Sequence, residues 1–265
     1  LMSRTLSEIE KVFERSGSRY EIVDYPKRGK KSVDVLVVKG DERFVIRVID
    51  NVSRMQKVEA DELKRLAASF SCKPVVISSD NTDEDLPIDK GVPLVHPKTL
   101  ERRLAGEKFF TIYSKGNIYV RINPKELHRK RLKKEMSLGE VADFLGVTRM
   151  SVYEYERGIT NKVSIEVAHK LVKLFGEEIL GDIFEVPELE SVKTKGNNSY
   201  RYSISAELAE KGYNVYEYSY SPADVTAVKE GKRMVIVVSE VEEKIENARK
   251  FVSMFGGEFY VKQVE

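Results

Sequence analysis

Two stretches of this chain repeat one another, and that repeat limits the fold more than any other feature of the sequence. Val33-Asp34-Val35-Leu36-Val37-Val38-Lys39 aligns with Ala223-Asp224-Val225-Thr226-Ala227-Val228-Lys229. The register runs on without a gap through Arg43 and Arg233, Val45 and Val235, Ile46 and Ile236, and Val48 and Val238. Eight of the nineteen positions from 32 to 50 are identical to those from 222 to 240, which marks the two blocks as one unit used twice. Two hairpins rich in Val and Lys could match by coincidence, but the flanking elements match as well. A helix precedes each block, a helix follows it and a strand closes it.

In the first copy the helix spans 3 to 15, with Leu6, Ile9, Val12 and Phe13 at helical spacing. Strand-like runs follow at Tyr20 to Tyr25, Val33 to Lys39 and Arg43 to Ile49, then a helix capped by Ser53 and running to Phe70, then a strand at Pro74 to Ser78. The order is α-β-β-β-α-β. In the second copy the helices fall at 203 to 211 and Val241 to Phe255, and the closing strand at Glu258 to Lys262. Between the copies lie a loop rich in Asp and Asn (80 to 91), a strand at Val92 to Val95, a helix from Lys98 to Ala105, and a hairpin formed by Phe109 to Tyr113 and Asn117 to Ile122. From Pro124 to Phe184 the periodicity is helical throughout: Lys125 to Glu135, Ser137 to Leu145, Arg149 to Arg157, Ser164 to Phe175 and a short fifth segment from Glu177.

Composition excludes several classes. One cysteine, Cys72, and three scattered histidines, His96, His128 and His169, leave no zinc-ligand spacing and no disulfide. No apolar run approaches the roughly 20 residues of a membrane helix, and the first ten residues lack a signal-peptide layout, so the expectation is a soluble, cytoplasmic protein with no membrane partner. The net charge is only +2, but the basic excess is local: between Lys125 and Lys134 six Lys or Arg stand against one Glu. Cys72 reads as a packed thiol, and the tyrosines between 213 and 220 as sheet packing.

The basic segment opens a motif. Ala142 is small where two helices must approach closely, Gly146 permits the left-handed backbone of a sharp turn, Val147 and Val152 fill the wedge, and Thr148 caps the next helix. At 100° per residue Arg149, Met150, Tyr153, Glu154 and Arg157 share one face of that helix, while Val152, Tyr155 and Glu156 share the other. The first face is free to enter a DNA major groove, which admits a helix of this width. Arg129, Lys130, Lys133 and Lys134 on the first helix, and Thr160, Asn161 and Lys162 after Gly158, are positioned to reach phosphates.

Over about 60 residues this segment resembles the Cro/cI phage-repressor type of helix-turn-helix, through Arg131, Ala142, Gly146, Val147, Thr148, Glu156 and Gly158. The resemblance implies double-stranded DNA as partner and base contacts from Arg149, Met150 and Glu154, with Tyr153 and Arg157 beside them. It also implies a buried structural salt bridge between Arg131 and Glu156. Leu138 departs from the family's usual phosphate-contacting Gln, and Val163 from its usual Pro.

The α-β-β-β-α-β units resemble the PD-(D/E)xK nuclease-like fold, whose active members add an acid-x-Lys pair to an Asp in the position of Asp34. Here Arg47 and Ile49 stand at that pair in the first copy, and Val237 and Ser239 in the second. The expectation is that both copies lack catalysis, bind no metal and need no cofactor. The whole arrangement resembles an archaeal family of helix-turn-helix regulators.

The fold expected is therefore α+β and multidomain, with a central all-α helix-turn-helix flanked by two related α/β domains. The expected divisions are 1–107, a hairpin connector at 108–123, the helical unit at 124–186, a linker at 187–199 and the second copy at 200–265. The expected function is sequence-specific transcription regulation by a homodimer on operator DNA, blocking or recruiting the transcription machinery. A DNA nuclease targeted by its helix-turn-helix and a non-catalytic DNA- or protein-binding scaffold are the competing readings. Lys27, Arg28, Lys30 and Lys31, in the turn before the Asp34 strand, read as a solvated loop, with phosphate contact beyond the core site as the alternative.

Overall fold

The computed structural model describes residues 4–80, 82–189 and 200–263. In α1 (Arg4–Ser16) Ile9, Val12 and Phe13 turn to one side and are buried. β1 (Arg19–Ile22), β2 (Val35–Lys39) and β3 (Glu42–Val48) pair antiparallel in turn, and α2 (Lys57–Phe70) carries the chain back to β4 (Lys73–Ile77), parallel to β3. The expected cap of α2 is displaced. Ser53 belongs to a 3-10 turn, where its amide is taken by the Asn51 side chain, and the helix itself starts after Gln56, with Glu59 closing a capping box.

β5 (Ile88–Asp89) is a two-residue strand inside the loop rich in Asp and Asn that sequence periodicity could not resolve. β6 (Pro93–Val95), α3 (Pro97–Leu104), β7 (Thr111–Ser114) and β8 (Asn117–Arg121) follow. His96, assigned no role from its spacing, caps α3 by accepting the Lys98 amide on its ring nitrogen. The hairpin is joined to the first copy's sheet, because β7 pairs with β5 through Ile88 and Tyr113.

Beyond it come α4 (Pro124–Lys133), α5 (Leu138–Leu145), α6 (Arg149–Glu156), β9 (Lys162–Ser164) and α7 (Ile165–Phe175). β9 corrects the expectation of an all-helical unit, and the fifth helical segment is only a 3-10 turn, Glu177–Ile179. β9 pairs antiparallel with β8, Val120 opposite Val163, and so completes a nine-stranded sheet in the order β1-β2-β3-β4-β6-β5-β7-β8-β9. The same pairing explains Val163 in place of proline: its side chain is buried, and a proline would bring no N–H to the ladder. Gly181 lets the chain pass the hairpin, since a Cβ there would stand 2.7 Å from the Ile122 carbonyl oxygen. Ile183 and Phe184 then enter the first copy's core, Phe184 edge-on to Phe109.

The second copy comprises α8 (Tyr200–Glu210), β10 (Asn214–Glu217), β11 (Val225–Lys229), β12 (Lys232–Val238), α9 (Glu242–Phe255) and β13 (Glu258–Lys262), in a four-stranded sheet. Residues 190–199 of the expected linker lie outside the described residues. Its hairpin register is the first copy's: Val35 opposes Ile46, and Val225 opposes Ile236.

The two copies pack against each other, and they do so reciprocally. The Glu62 carboxylate of α2 accepts the amides of Ser219 and Tyr220, while the Asn247 side chain of α9 accepts the amide of Asp24. Arg65 donates to the Glu217 carbonyl and Lys250 to the Ile22 carbonyl. Arg43 lies 5.9 Å from the Phe255 ring and Arg233 6.0 Å from the Phe70 ring. Phe70 meets Phe251 at 5.3 Å and Phe255 at 5.5 Å, at the middle of one core that also holds Leu63, Leu66, Tyr216, Tyr218 and Met254. Tyr216 and Tyr218 are thus packing residues, as expected, but between the copies, whereas Tyr213 packs within the second copy. Phe70→Ala should open a cavity at this junction and cost about 3 to 5 kcal/mol. Chemical denaturation checks it, and the loss should be felt by both copies together.

Candidate nucleic-acid interface

The turn between α5 and α6 is built by its own residues. Ser137 and Glu140 close a capping box at the start of α5, Gly146 ends it in the left-handed region at φ 73°, and the Thr148 hydroxyl accepts the Ser151 amide at the start of α6. Ala142 and Val152 are buried between the helices, with Val147 packed beside them and Leu138 at the margin of the same cluster.

α6 is held from behind by a salt bridge. Arg131 of α4 grips the Glu156 carboxylate with Nε on one oxygen and Nη2, at 3.0 Å, on the other, and both side chains are nearly buried. The third Arg131 nitrogen, Nη1, donates to the Met136 carbonyl at 2.8 Å. His128 adds a contact that the sequence did not reveal, its Nδ1 lying 2.8 Å from Glu156 Oε2. Burial opposes charge on Glu156, but Arg131 and His128 overcome it and hold the carboxyl below its ordinary range. Glu156 in turn is the first cause of the raised Arg131 value.

With its rear face fixed, α6 presents Arg149, Met150, Tyr153 and Arg157 to solvent, and Glu154 half-exposed, as the helical wheel requires. Met150 is 63% exposed, an unusual position for an apolar side chain of its size. The Arg157 guanidinium lies 5.9 Å from the Tyr153 ring. Ile159, just past the helix, is 68% exposed and was not singled out from sequence.

The phosphate-contact set divides. Lys133 and Lys134 are exposed, and Arg129 is exposed while paired with Glu126 at 2.7 Å. Lys130 is used within the fold, bonded to the Phe175 carbonyl at 2.7 Å and to Glu178 at 2.5 Å. Lys162, on β9, is paired with Asp89 of β5 and lies 6.0 Å from the Tyr119 ring, and Asn161 donates to Glu185 at 3.2 Å. Lys162 ties the helical unit to β5, because β9 is a strand of the large sheet and not the free loop the sequence suggested, whereas Lys130 and Asn161 are bonded within the unit.

The nuclease-like units place their aspartates where sequence predicted and surround them with cations. Asp34 accepts the Val48 amide at 2.7 Å, Arg47 Nη1 at 2.6 Å and, on its other oxygen, Lys31 at 3.0 Å. Arg47 also reaches Glu59 of α2 at 3.1 Å, so one guanidinium spans the two buried acids. Burial works against the Arg47 charge, but Asp34 and Glu59 raise its pKa above the ordinary value. In the second copy Asp224 accepts the Val238 amide at 2.7 Å and is gripped by Lys244, with Arg201 at 3.3 Å. This donor set does not fit a divalent cation, since both carboxylates already face positive side chains, and among the described residues no group of three His, Cys, Asp or Glu could hold a metal. Cys72 is buried in the junction core, which pushes its thiol pKa up and leaves it unreactive. Among the described residues no helix is long and apolar enough to cross a membrane.

A family model described as a PD-(D/E)XK superfamily domain matches residues 2–109, and one described as helix-turn-helix matches residues 127–180. A protein of Sulfurisphaera tokodaii named "Putative HTH-type transcriptional regulatory protein" is 36% identical over 251 residues, covering 93% of this chain and 84% of its own length. One of the same name from Sulfolobus acidocaldarius is 33% identical over 260 residues, with the same coverage of each chain. A further relative from Saccharolobus islandicus is 29% identical over 260 residues, covering 95% of this chain and 82% of its own. No solved structure matches.

The Glu156 clamp has a pH signature. A depressed carboxyl contributes stability that is complete above the unfolded glutamate value of about 4.3 and lost as pH falls through the lower folded value. Glu156→Gln should therefore destabilise the helical unit by on the order of 3 kcal/mol at neutral pH and remove that acid-side loss. Thermal melts of both proteins between pH 3 and 7 check it, and parallel pH curves would contradict it.

Proposed function

This chain belongs to the family of helix-turn-helix proteins represented by these relatives in Sulfurisphaera tokodaii and Sulfolobus acidocaldarius, and from that premise we propose that it is a sequence-specific DNA-binding transcription regulator. The observation that carries the reading is the division of α6 into two faces. Glu156 and Val152 lock one face to the domain, while Arg149, Met150, Tyr153 and Arg157 stand exposed on the other. In this reading Arg149 makes the bidentate contact to guanine O6 and N7, Met150 packs on a thymine methyl, and Glu154 accepts from a cytosine amine. Thr148 fixes the start of the helix against the backbone. Arg129, Lys133 and Lys134 neutralise phosphates, and Arg129 exchanges Glu126 for phosphate when it binds.

The protein acts as a homodimer, because one short helix reads few base pairs, and the two half-sites then lie about 34 Å apart. Occupancy of such an operator would block or recruit the transcription machinery. The α/β copies serve as a non-catalytic frame. The polar residues that the two copies share are spent on structure: Asp34 and Asp224 on β3 and β12 amides, Arg43 and Arg233 on the opposite copy's phenylalanine, and Lys39 and Lys229 on the carbonyls that end α1 and follow α8. A nuclease would instead need its carboxylates open to a metal ion.

Fluorescence anisotropy with operator and scrambled duplexes tests the reading. Arg149→Ala should weaken operator binding by roughly 1 to 3 kcal/mol and narrow its margin over scrambled DNA, whereas Lys133→Ala should weaken both duplexes alike and lower the salt slope by about one. Equal behaviour of the two variants would contradict the assignment of α6 to the groove. Incubation of supercoiled DNA with Mg²⁺ should leave it intact, and cleavage abolished by Asp34→Ala would establish the nuclease reading.

A further inference from the structure

The two copies of the repeat differ at one edge. In the first, β4 is flanked on both sides, by β3 and by β6, with Val76 opposite Leu94 and Ile77 opposite Val95. Four of the five β4 residues are buried. Its counterpart β13 pairs only with β12 and ends its sheet, and among the described residues no strand covers its outer side. Four of its five residues are exposed, Tyr260 by 40% and Val261 by 42%. An uncovered strand edge of this kind is a template for another strand.

The direction of the backbone groups fixes what can be added. The Ser239 amide donates to the Lys262 carbonyl at 3.1 Å, so Lys262, and by alternation Tyr260 and Glu258, turn their backbone groups toward β12. Phe259 and Val261 therefore turn their N–H and C=O outward. An antiparallel strand must set its own outward residues opposite these two.

The strand Glu258-Phe259-Tyr260-Val261-Lys262 satisfies that condition with itself. Placed antiparallel about a two-fold axis at Tyr260, Phe259 faces Val261 of the other strand in both hydrogen-bonded pairs, on the side covered by α9. Tyr260 faces Tyr260 in the pair without backbone bonds, where side chains come closest. Glu258 faces Lys262 at each end. Registers shifted by two residues keep the hydrogen bonds but lose both charge pairs.

We propose that β13 is the homodimer edge: a second copy of this chain adds its own β13 antiparallel in this register, joining two four-stranded sheets into one of eight. The inference deepens the dimeric part of the function proposed above and rests on it. It also gives a reason for one helix-turn-helix per chain beside two α/β copies. The helical surfaces by which the copies pair are used up inside the chain, at Phe70 and Phe255, so the two-fold axis between chains has to run elsewhere.

Charge exchange tests it on the full chain by sedimentation equilibrium. The wild type should sediment as a dimer of 30.3 kDa subunits. E258K sets Lys against Lys at both ends and K262E sets Glu against Glu, so each alone should dimerise at least about tenfold more weakly. An equimolar mixture should recover wild-type association, because every Lys then faces a Glu. Both side chains are exposed, and unchanged melting of each variant shows that it is folded. Variants that dimerise as well as wild type, or a mixture no better than its parts, would overturn the edge. A wild type that stays monomeric while still preferring one DNA sequence would overturn the edge and the dimeric reading but leave the regulator. A dimer lost in both variants and regained in the mixture, yet indifferent to DNA sequence, would uphold the edge and remove the regulator.

Discussion

The reciprocal packing of α2 and α9 is the constraint on which the rest of the molecule depends. Each of these helices lies against the other copy's strands, so neither copy covers its own sheet face alone, and Phe70, Phe251 and Phe255 meet where the two halves cross. Burying such rings contributes about 1.5 to 3 kcal/mol apiece relative to exposure, before the hydrogen bonds that repeat on both sides. A helix that must present an apolar stripe and backbone-capping side chains to a foreign sheet is not free to carry a nuclease's open carboxylates as well. Glu59 shows the outcome. It shares the Arg47 guanidinium with Asp34, at 3.1 Å and 2.6 Å, so both acids are neutralised by an arginine.

From that frame the large sheet extends to the helical unit. β5 links β6 to the hairpin, β9 continues it, and Lys162 with Asp89, Arg121 with Glu185 and Arg103 with Asp182 pin the chain on either side. Burial, offset first by the Lys162 contact and then by the Gly91 amide, leaves the Asp89 carboxyl below its ordinary range. The helix-turn-helix is therefore carried at a set orientation and not on a tether. Under the proposed function, a helix held this way would lose little freedom on meeting a groove, which would favour discrimination between sequences over tolerance of many.

Much of this was legible in the sequence, and the exceptions share a cause. The repeat, its element order, the turn at Gly146, the cap at Thr148 and the exposed face of α6 follow from local chemistry or from spacing, and the Arg131–Glu156 pair was implied by the resemblance to the Cro/cI type. Reading failed where the deciding partner is remote. β5 and β9 are two and three residues long and exist only because hairpin strands lie beside them, so no periodicity announces them. Lys130 and Lys162 looked like phosphate contacts because their acids, Glu178 and Asp89, are 48 and 73 residues away. The alignment itself held one unread signal: Arg43 and Arg233 are identical because each caps the other copy's phenylalanine.

Selection of bound duplexes from a random pool at about 150 mM salt, where non-specific phosphate binding is weak, decides whether the exposed face of α6 reads DNA sequence for a two-fold assembly. A pseudo-palindromic motif whose half-sites are centred about one helical turn apart is expected. Recovery of no motif, with every duplex bound or none, would contradict that reading and move the search for function to the paired α/β copies.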